Sequence, residues 1–292
     1  MDQIEVFAHA KINLSLDIVN KRPDGYHNIS SVMQSIGVCD HIMIEKTAGP
    51  FVLAVDKQFL PADARNLSYK AAMAISEYAE VLPNVSIVLK KRIPVGAGLA
   101  GGSADAAGTL IGMNMLLDLN LTEGELFMLA QGIGSDVPFC LNGGTYLVEG
   151  RGEVLSEILN ETKARLLLYK PPFSVSTASV YEKYDPTKVT DRPDNIRLIS
   201  ALKKGSIMSC FPYMKNVMES VTVMENPALE KARRVLLEAG ADYVLMTGSG
   251  PTLMAFFYND EQGQRIHFEA QKLPGEVLVT EFFPNGQEIR IP

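Results

Sequence analysis

The sequence predicts an α+β protein of two domains. Three observations carry this. The chain has 292 residues, enough for two domains or one large one. Strand-like and helix-like periodicities interleave without the regular strand–helix repeats of a doubly wound sheet. Pro171-Pro172 also breaks the pattern, and the boundary between the units is placed near residue 160. With 47% hydrophobic and 21% charged residues the composition is that of an ordinary globular protein and excludes general disorder. Twenty-seven Lys and Arg against 34 Asp and Glu leave a formal charge of −7, unsuited to binding nucleic acid broadly but compatible with a local basic pocket for a small phosphate. Cys39, Cys140 and Cys210 form no CxxC pair, which argues against a disulfide framework or a zinc ribbon and for a reducing, cytoplasmic setting. No secretory leader pattern opens the chain and no apolar run approaches the ~18 residues of a membrane span, so no membrane partner is expected.

From Ile4 to Ile18 apolar and polar residues alternate, the period of a half-buried strand, bent or continued as a second strand in series. Arg22-Pro23-Asp24-Gly25 is turn chemistry. Extended segments follow at 29–38 and 41–45. A helix over 66–81 stops before Pro83, and 84–89 reads as a strand. Beyond a glycine-rich segment, Ala107, Leu110, Ile111 and Met115 share one helical face. Thr122-Glu123-Gly124-Glu125 is a capping box for a helix ending near Gly132 or Gly134. Strands are expected at 143–148 and 164–169, then loop over 185–195. A helix at 228–239, strands at 243–246 and 252–257, a helix near 260–272 and a strand at 277–283 complete the reading. The boundary near 160 gives residues 1–160 and 161–292 as the two units.

The strongest chemical signal is Pro94-Val95-Gly96-Ala97-Gly98-Leu99-Ala100-Gly101-Gly102-Ser103-Ala104, between a strand and a helix. Closely spaced glycines let backbone N–H groups converge, and the helix N-terminus adds roughly half a positive charge, so the loop is suited to cradle phosphate. A tight structural turn is the plainer alternative. The chain has no Gly-Lys dipeptide, which excludes the Walker A loop, and lacks His-Arg-Asp and Asp-Phe-Gly. Gly96 to Gly101 does satisfy GxGxxG. The ribose-binding acid expected ~20 residues on falls in a helix–helix junction, however, which weakens a dinucleotide reading.

Two further segments stand out. Gly134-Ser135-Asp136-Val137-Pro138-Phe139 places a carboxylate in a turn before a proline, where it also suits an N-cap. Leu245-Met246-Thr247-Gly248-Ser249-Gly250-Pro251-Thr252 is a second glycine turn between strands. Together with Ala10-Lys11-Ile12-Asn13-Leu14, Arg22-Pro23-Asp24-Gly25-Tyr26-His27 and the glycine loop, they resemble the GHMP small-molecule kinases, named for galactose, homoserine, mevalonate and phosphomevalonate. The resemblance runs from about residue 8 to residue 257 with the motifs in family order, and departs at Ala97, Ala100 and Ala104, where Gly, Gly and Ser are common.

The resemblance implies a first half like ribosomal protein S5 domain 2 that binds ATP, and a ferredoxin-like second half on the substrate side. The active site would lie in the cleft between them. It implies ATP with Mg2+ (no protein ligand being assigned to the ion) and transfer of the γ-phosphoryl group to an alcohol. Within the family the motifs point to the branch that phosphorylates the 2-hydroxyl of a cytidyl-linked methylerythritol in the non-mevalonate route to isoprenoid precursors. Lys11 would contact the attacking oxygen and the γ-phosphate, and Asp136 would act as base. Because a carboxylate is a far weaker base than an alkoxide, Asp136 would orient the hydroxyl and take its proton only as the new bond forms. Asn13, Tyr26, His27, Thr177 and Tyr181 would hold the cytidyl substrate, with Tyr26 and Tyr181 as stacking faces and His27 at the base edge. Asn66 and Lys91 join the loop residues 94–104 at the ATP site. A homodimer is admitted. A GHMP kinase for another alcohol, or a non-catalytic binding protein on the same scaffold, remain as alternatives.

Overall fold

The architecture is seen in a computed structural model, which describes residues 2–291. The alternation from Ile4 to Ile18 resolves into β1 (Gln3–Asn13) and β2 (Asp17–Lys21). The two segments expected at 29–38 and 41–45 are one 20-residue strand, β3 (His27–Lys46). Partners line it throughout: β1, β2, β5 (Val85–Lys90) and β6 (Thr145–Gly150) all pair with it antiparallel. Three short strands complete this first sheet without a signal in the sequence. They are β4 (Val52–Val55), parallel to β5, then β7 (Val154–Glu157) beside β6, and β12 (Gln287–Arg290) beside β1.

Burial on β1 alternates only as far as Phe7; from Ala8 to Asn13 both faces are covered. The register against β3 also shifts between His9 and Lys11. Lys11 and Asn13, on the polar face of the alternation, are therefore buried rather than bathed in water.

Helices pack on this sheet. α1 (Leu67–Tyr78) is capped by Asn66, whose side chain accepts from Ser68 N, and it ends before the expected residue 81. α2 (Gly101–Leu116) rests on β1 and β3. The contact needs Gly108, because a Cβ there would sit 2.7 Å from Ile42 Cδ1 and 3.2 Å from Val6 Cγ1. α3 (Glu123–Ile133) begins with both hydrogen bonds of the Thr122–Glu125 capping box in place. α4 (Val137–Asn142) follows directly.

The second sheet contains β8 (Arg165–Lys170), β9 (Tyr243–Met246), β10 (Leu253–Phe257) and β11 (Glu276–Glu281). Its order is β11-β8-β10-β9, with every neighbouring pair antiparallel. α8 (Pro227–Glu238) lies between β8 and β9 in sequence and α9 (Asp260–Ala270) between β10 and β11, which is the β-α-β-β-α-β connection of ferredoxin-like units. α5 (Thr177–Lys183), α6 (Asn195–Leu202) and α7 (Glu219–Glu225) were not legible in the sequence; all are too short for a 3.6-residue period to show. A cut at residue 160 separates the two sheets except at β12, which returns to the first. The second unit is thus not simply 161–292. Among the described residues no helix is long and apolar enough to cross a membrane.

Replacing Gly108 by Val should cost about 2 kcal/mol or more of stability through overpacking against Ile42 and Val6. Urea unfolding reads this directly, and an unchanged midpoint would contradict so close a seat of α2 on the sheet.

Candidate active site

Where the loops of the two sheets meet lies a cavity of about 930 Å³, lined by β1, the glycine loop, the turn before α4, α5 and the turn between β9 and β10. Of the residues singled out above, all but Ala104 line it; Ala104 is buried inside α2.

The glycine loop is held from two sides. Lys11 N donates to Leu99 O at 3.2 Å, tying the loop to β1. On the other side Gly98 meets the second glycine turn backbone to backbone. A Cβ on Gly98 (φ +76°) would sit 2.6 Å from Thr247 O, and one on Gly248 (φ +57°) would sit 2.9 Å from Gly98 O. Ala100, the N-cap of α2, is left-handed (φ 57°, ψ 30°) although it carries a Cβ, and it makes no side-chain cap bond. The first amides of α2 therefore keep their orphan N–H groups at the cavity wall, an arrangement suited to anionic oxygens.

Lys11 Nζ lies 3.5 Å from Asp136 Oδ2 and donates to Asn13 Oδ1 at 2.8 Å. Asn13 is fixed in turn: its Nδ2 donates to Ser31 Oγ at 2.8 Å and its backbone N–H to Thr247 Oγ1 at 2.9 Å. Thr247 belongs to the second glycine turn, so the orientation of Lys11 depends on both halves of the molecule. Asp136 occupies the N-cap position of α4 but makes no capping hydrogen bond, which leaves its carboxylate to face Lys11.

At the far end, the His27 ring stacks on Tyr181 with centroids 5.1 Å apart and planes 20° from parallel. Burial, then the charge of Lys21, holds the His27 pKa below its usual value, which favours a neutral imidazole. Burial, then the charge of Asp136, pushes the Tyr181 phenol up. Tyr26 stands more than half exposed, with the Arg151 guanidinium 5.3 Å from its ring centre. Tyr181 therefore faces His27 rather than Tyr26. Thr177 shares a 2.8 Å hydrogen bond with Ser249, joining α5 to the second glycine turn.

Asn66 and Lys91 reach the wall with their polar groups already occupied. Asn66 accepts from Ser68 N and donates to Pro61 O, while the Lys91 ammonium is ion-paired with both Asp40 and Asp105. Sequence reasoning passed over Arg151, Ser249, Asp40 and Asp105. Gly150-Arg151-Gly152 and the carboxylate just after the glycine loop were the available signals.

Residues 66–144 match the model of the GHMP kinases N terminal domain, and residues 198–273 that of the GHMP kinases C terminal domain. A protein of Acetivibrio thermocellus named 4-diphosphocytidyl-2-C-methyl-D-erythritol kinase is 41% identical over 281 residues, 96% of this chain and 99% of its own. One of the same name from Syntrophomonas wolfei is 42% identical over 273 residues, covering 93% and 95%. A crystal structure of 4-(cytidine 5'-diphospho)-2C-methyl-D-erythritol kinase superposes with a TM-score of 0.81 at 29% identity, covering 95% of this chain and 98% of that one.

Ala100→Gly should stabilise the protein by about 1 kcal/mol, since glycine adopts the left-handed N-cap without steric cost. Thermal unfolding measures it, and a lower midpoint would show that the Ala100 methyl contributes packing that outweighs the strain.

Proposed function

The chain belongs to the GHMP kinases, and we propose that it transfers the γ-phosphoryl group of ATP to the 2-hydroxyl of 4-diphosphocytidyl-2-C-methyl-D-erythritol, a step toward isoprenoid precursors by the non-mevalonate route. The observation that carries this reading is the Lys11–Asp136 contact of 3.5 Å in the same cavity as the glycine loop, with the His27–Tyr181 stack in its wall.

Phosphoryl transfer has a loose transition state, so positioning and charge neutralisation do most of the work. ATP lies along residues 94–103, with its phosphates on the free backbone N–H groups of residues 96–103. Asn66 and the aliphatic stem of Lys91 shape the wall on the nucleotide side, because their polar groups are committed elsewhere. Lys11 meets both the attacking oxygen and the γ-phosphate; at ~4 Å and an effective dielectric of ~20 each such contact has a Coulomb energy of order 4 kcal/mol before desolvation. Asn13 holds that ammonium in place. Asp136 orients the acceptor hydroxyl and takes its proton as the oxygen–phosphorus bond forms. Mg2+ would come with the nucleotide and would supply charge neutralisation at its phosphates; among the described residues no cluster of three His, Cys, Asp or Glu is gathered to hold it.

The cytosine ring packs on Tyr26 and Tyr181, and a neutral His27 offers one donor and one acceptor nitrogen to its edge. Admitting a base between His27 and Tyr181, or between Tyr26 and Tyr181, requires a ring to swing, since His27 and Tyr181 stack directly on one another. Thr177 completes the wall. The protein acts on small molecules, and a homodimer is compatible with this assignment.

Coupled ADP release with the purified cytidyl substrate, set beside mevalonate and homoserine, tests the assignment: turnover confined to the cytidyl compound is expected, and activity on either other alcohol alone overturns it. Asp136→Asn should lower kcat by ~10²-fold or more with little change in KM for ATP; near-normal turnover would remove Asp136 from the mechanism. His27→Ala should raise KM for the cytidyl substrate far more than KM for ATP, and equal effects on the two would place His27 outside the acceptor site.

A further inference from the structure

Below the glycine loop lies a cluster of charges that the transfer mechanism does not use. The Lys91 ammonium, almost wholly buried, is ion-paired with Asp40 Oδ2 from β3 and with Asp105 Oδ2 from α2. The other oxygen of Asp40 accepts from Arg92 N at 2.5 Å and Ile93 N at 2.9 Å. Asp105 Oδ1 is buried with no donor among the described residues. The segment entering the loop, residues 91–93, and the helix leaving it thus hang on the same three side chains. Gly101, the first residue of α2, seats against them: a Cβ there would lie 3.4 Å from Lys91 Nζ and 3.0 Å from Ile93 Cγ2.

Two carboxylates share one ammonium, so with both ionised the cluster would carry a buried net negative charge in the wall of a cavity built for polyphosphate. Burial of such a charge is costly, and its field opposes an anionic ligand. We propose that Lys91, Asp40 and Asp105 are positioning residues for the phosphate loop, and that their carboxylate pair holds one proton when nucleotide is bound, which makes nucleotide affinity proton-linked. The inference rests on the reading of residues 94–104 as the nucleotide cradle.

The proton belongs on Asp105. Asp40 already accepts two backbone N–H bonds in addition to Lys91, whereas Asp105 has one oxygen without a donor and so has room to carry the hydrogen. Burial raises the Asp105 pKa to about 8, with Lys91 opposing the shift and Asp40 adding to it. The groups that face Asp105 are Asp40 from β3, Lys91 from the loop entry and the thiol of Cys140 from α4, which burial keeps protonated. Below about pH 8 the triad is neutral; above it a negative charge appears beneath the loop. The folded state retains this proton while an unfolded aspartate has lost it, so this group makes stability fall as pH rises from the ordinary aspartate range to the folded pKa, and level off beyond.

The test uses the full-length protein and Asp105→Asn, which keeps the Lys91–Asp40 pair and fixes the third member as neutral. Between about pH 7.5 and about pH 9 the Kd for ADP should rise about fivefold or more in the wild type. The same ratio should fall within about twofold in Asp105→Asn, whatever its absolute affinity. In parallel, the melting temperature of Asp105→Asn minus that of the wild type should grow as pH rises from about 5 to about 8 and then stay level. A pH-independent wild-type Kd, a variant that retains the wild-type dependence, or a melting difference that does not grow with pH each overturns the proposal. Neither measurement needs an acceptor alcohol, so a failed cytidyl assignment and a failed proton link are told apart.

Discussion

The approach of two backbones, Gly98 against Thr247 and Gly248, is the constraint on which the site depends. No side chain fits between these turns, so the distance between the two halves is fixed by main chain alone and is short. That closeness brings the Thr247 hydroxyl to the amide of Asn13, and Asn13 then holds the Lys11 ammonium opposite Asp136. A glycine turn on the second sheet and a lysine on the first act as one unit because nothing bulky separates them. The left-handed Ala100 fits the same logic: the loop adopts the shape its neighbours require, at some local cost in backbone energy.

Electrostatics divides the cavity into regions. Near the glycine loop the charges are paired: buried Lys91 with its two buried carboxylates, and buried Lys11 with the partly exposed Asp136. At the far end aromatic rings gather, with the cations of Lys21 and Arg151 beside them; the His27 pKa is lowered and the Tyr181 phenol raised, both chiefly by burial. A molecule with a flat uncharged end and an anionic end would meet a matching environment at each.

Much of this was legible in the sequence because it is local. The alternation from Ile4, the Thr122 capping box and the two glycine turns depend on near neighbours, and the structure realises them. Alternation could not tell whether the polar face carrying Lys11 and Asn13 would meet water or a second domain, because the covering turn lies far along the chain. The Lys91 triad was hidden for the same reason: its carboxylates lie fifty-one and fourteen residues from the lysine, and only the packing of α2 on β3 unites them. The direct His27–Tyr181 stack was not legible either, because it is decided by ring contacts that no spacing encodes. Short elements such as β4, β12 and α5 form because neighbours supply partners, not because their own residues insist.

The return of β12 to β1 has a consequence for how the molecule is made. Glu5 to Ala8 find their partners at Gln287 to Arg290, so during synthesis the edge of the first sheet stays bare until residues 287–290 have left the ribosome. An uncovered strand edge invites pairing with the wrong chain. The protein therefore matures as a closed circuit rather than as two beads in sequence, and a ribosome that stalls late in translation would leave its product exposed at the strand that bears the lysine.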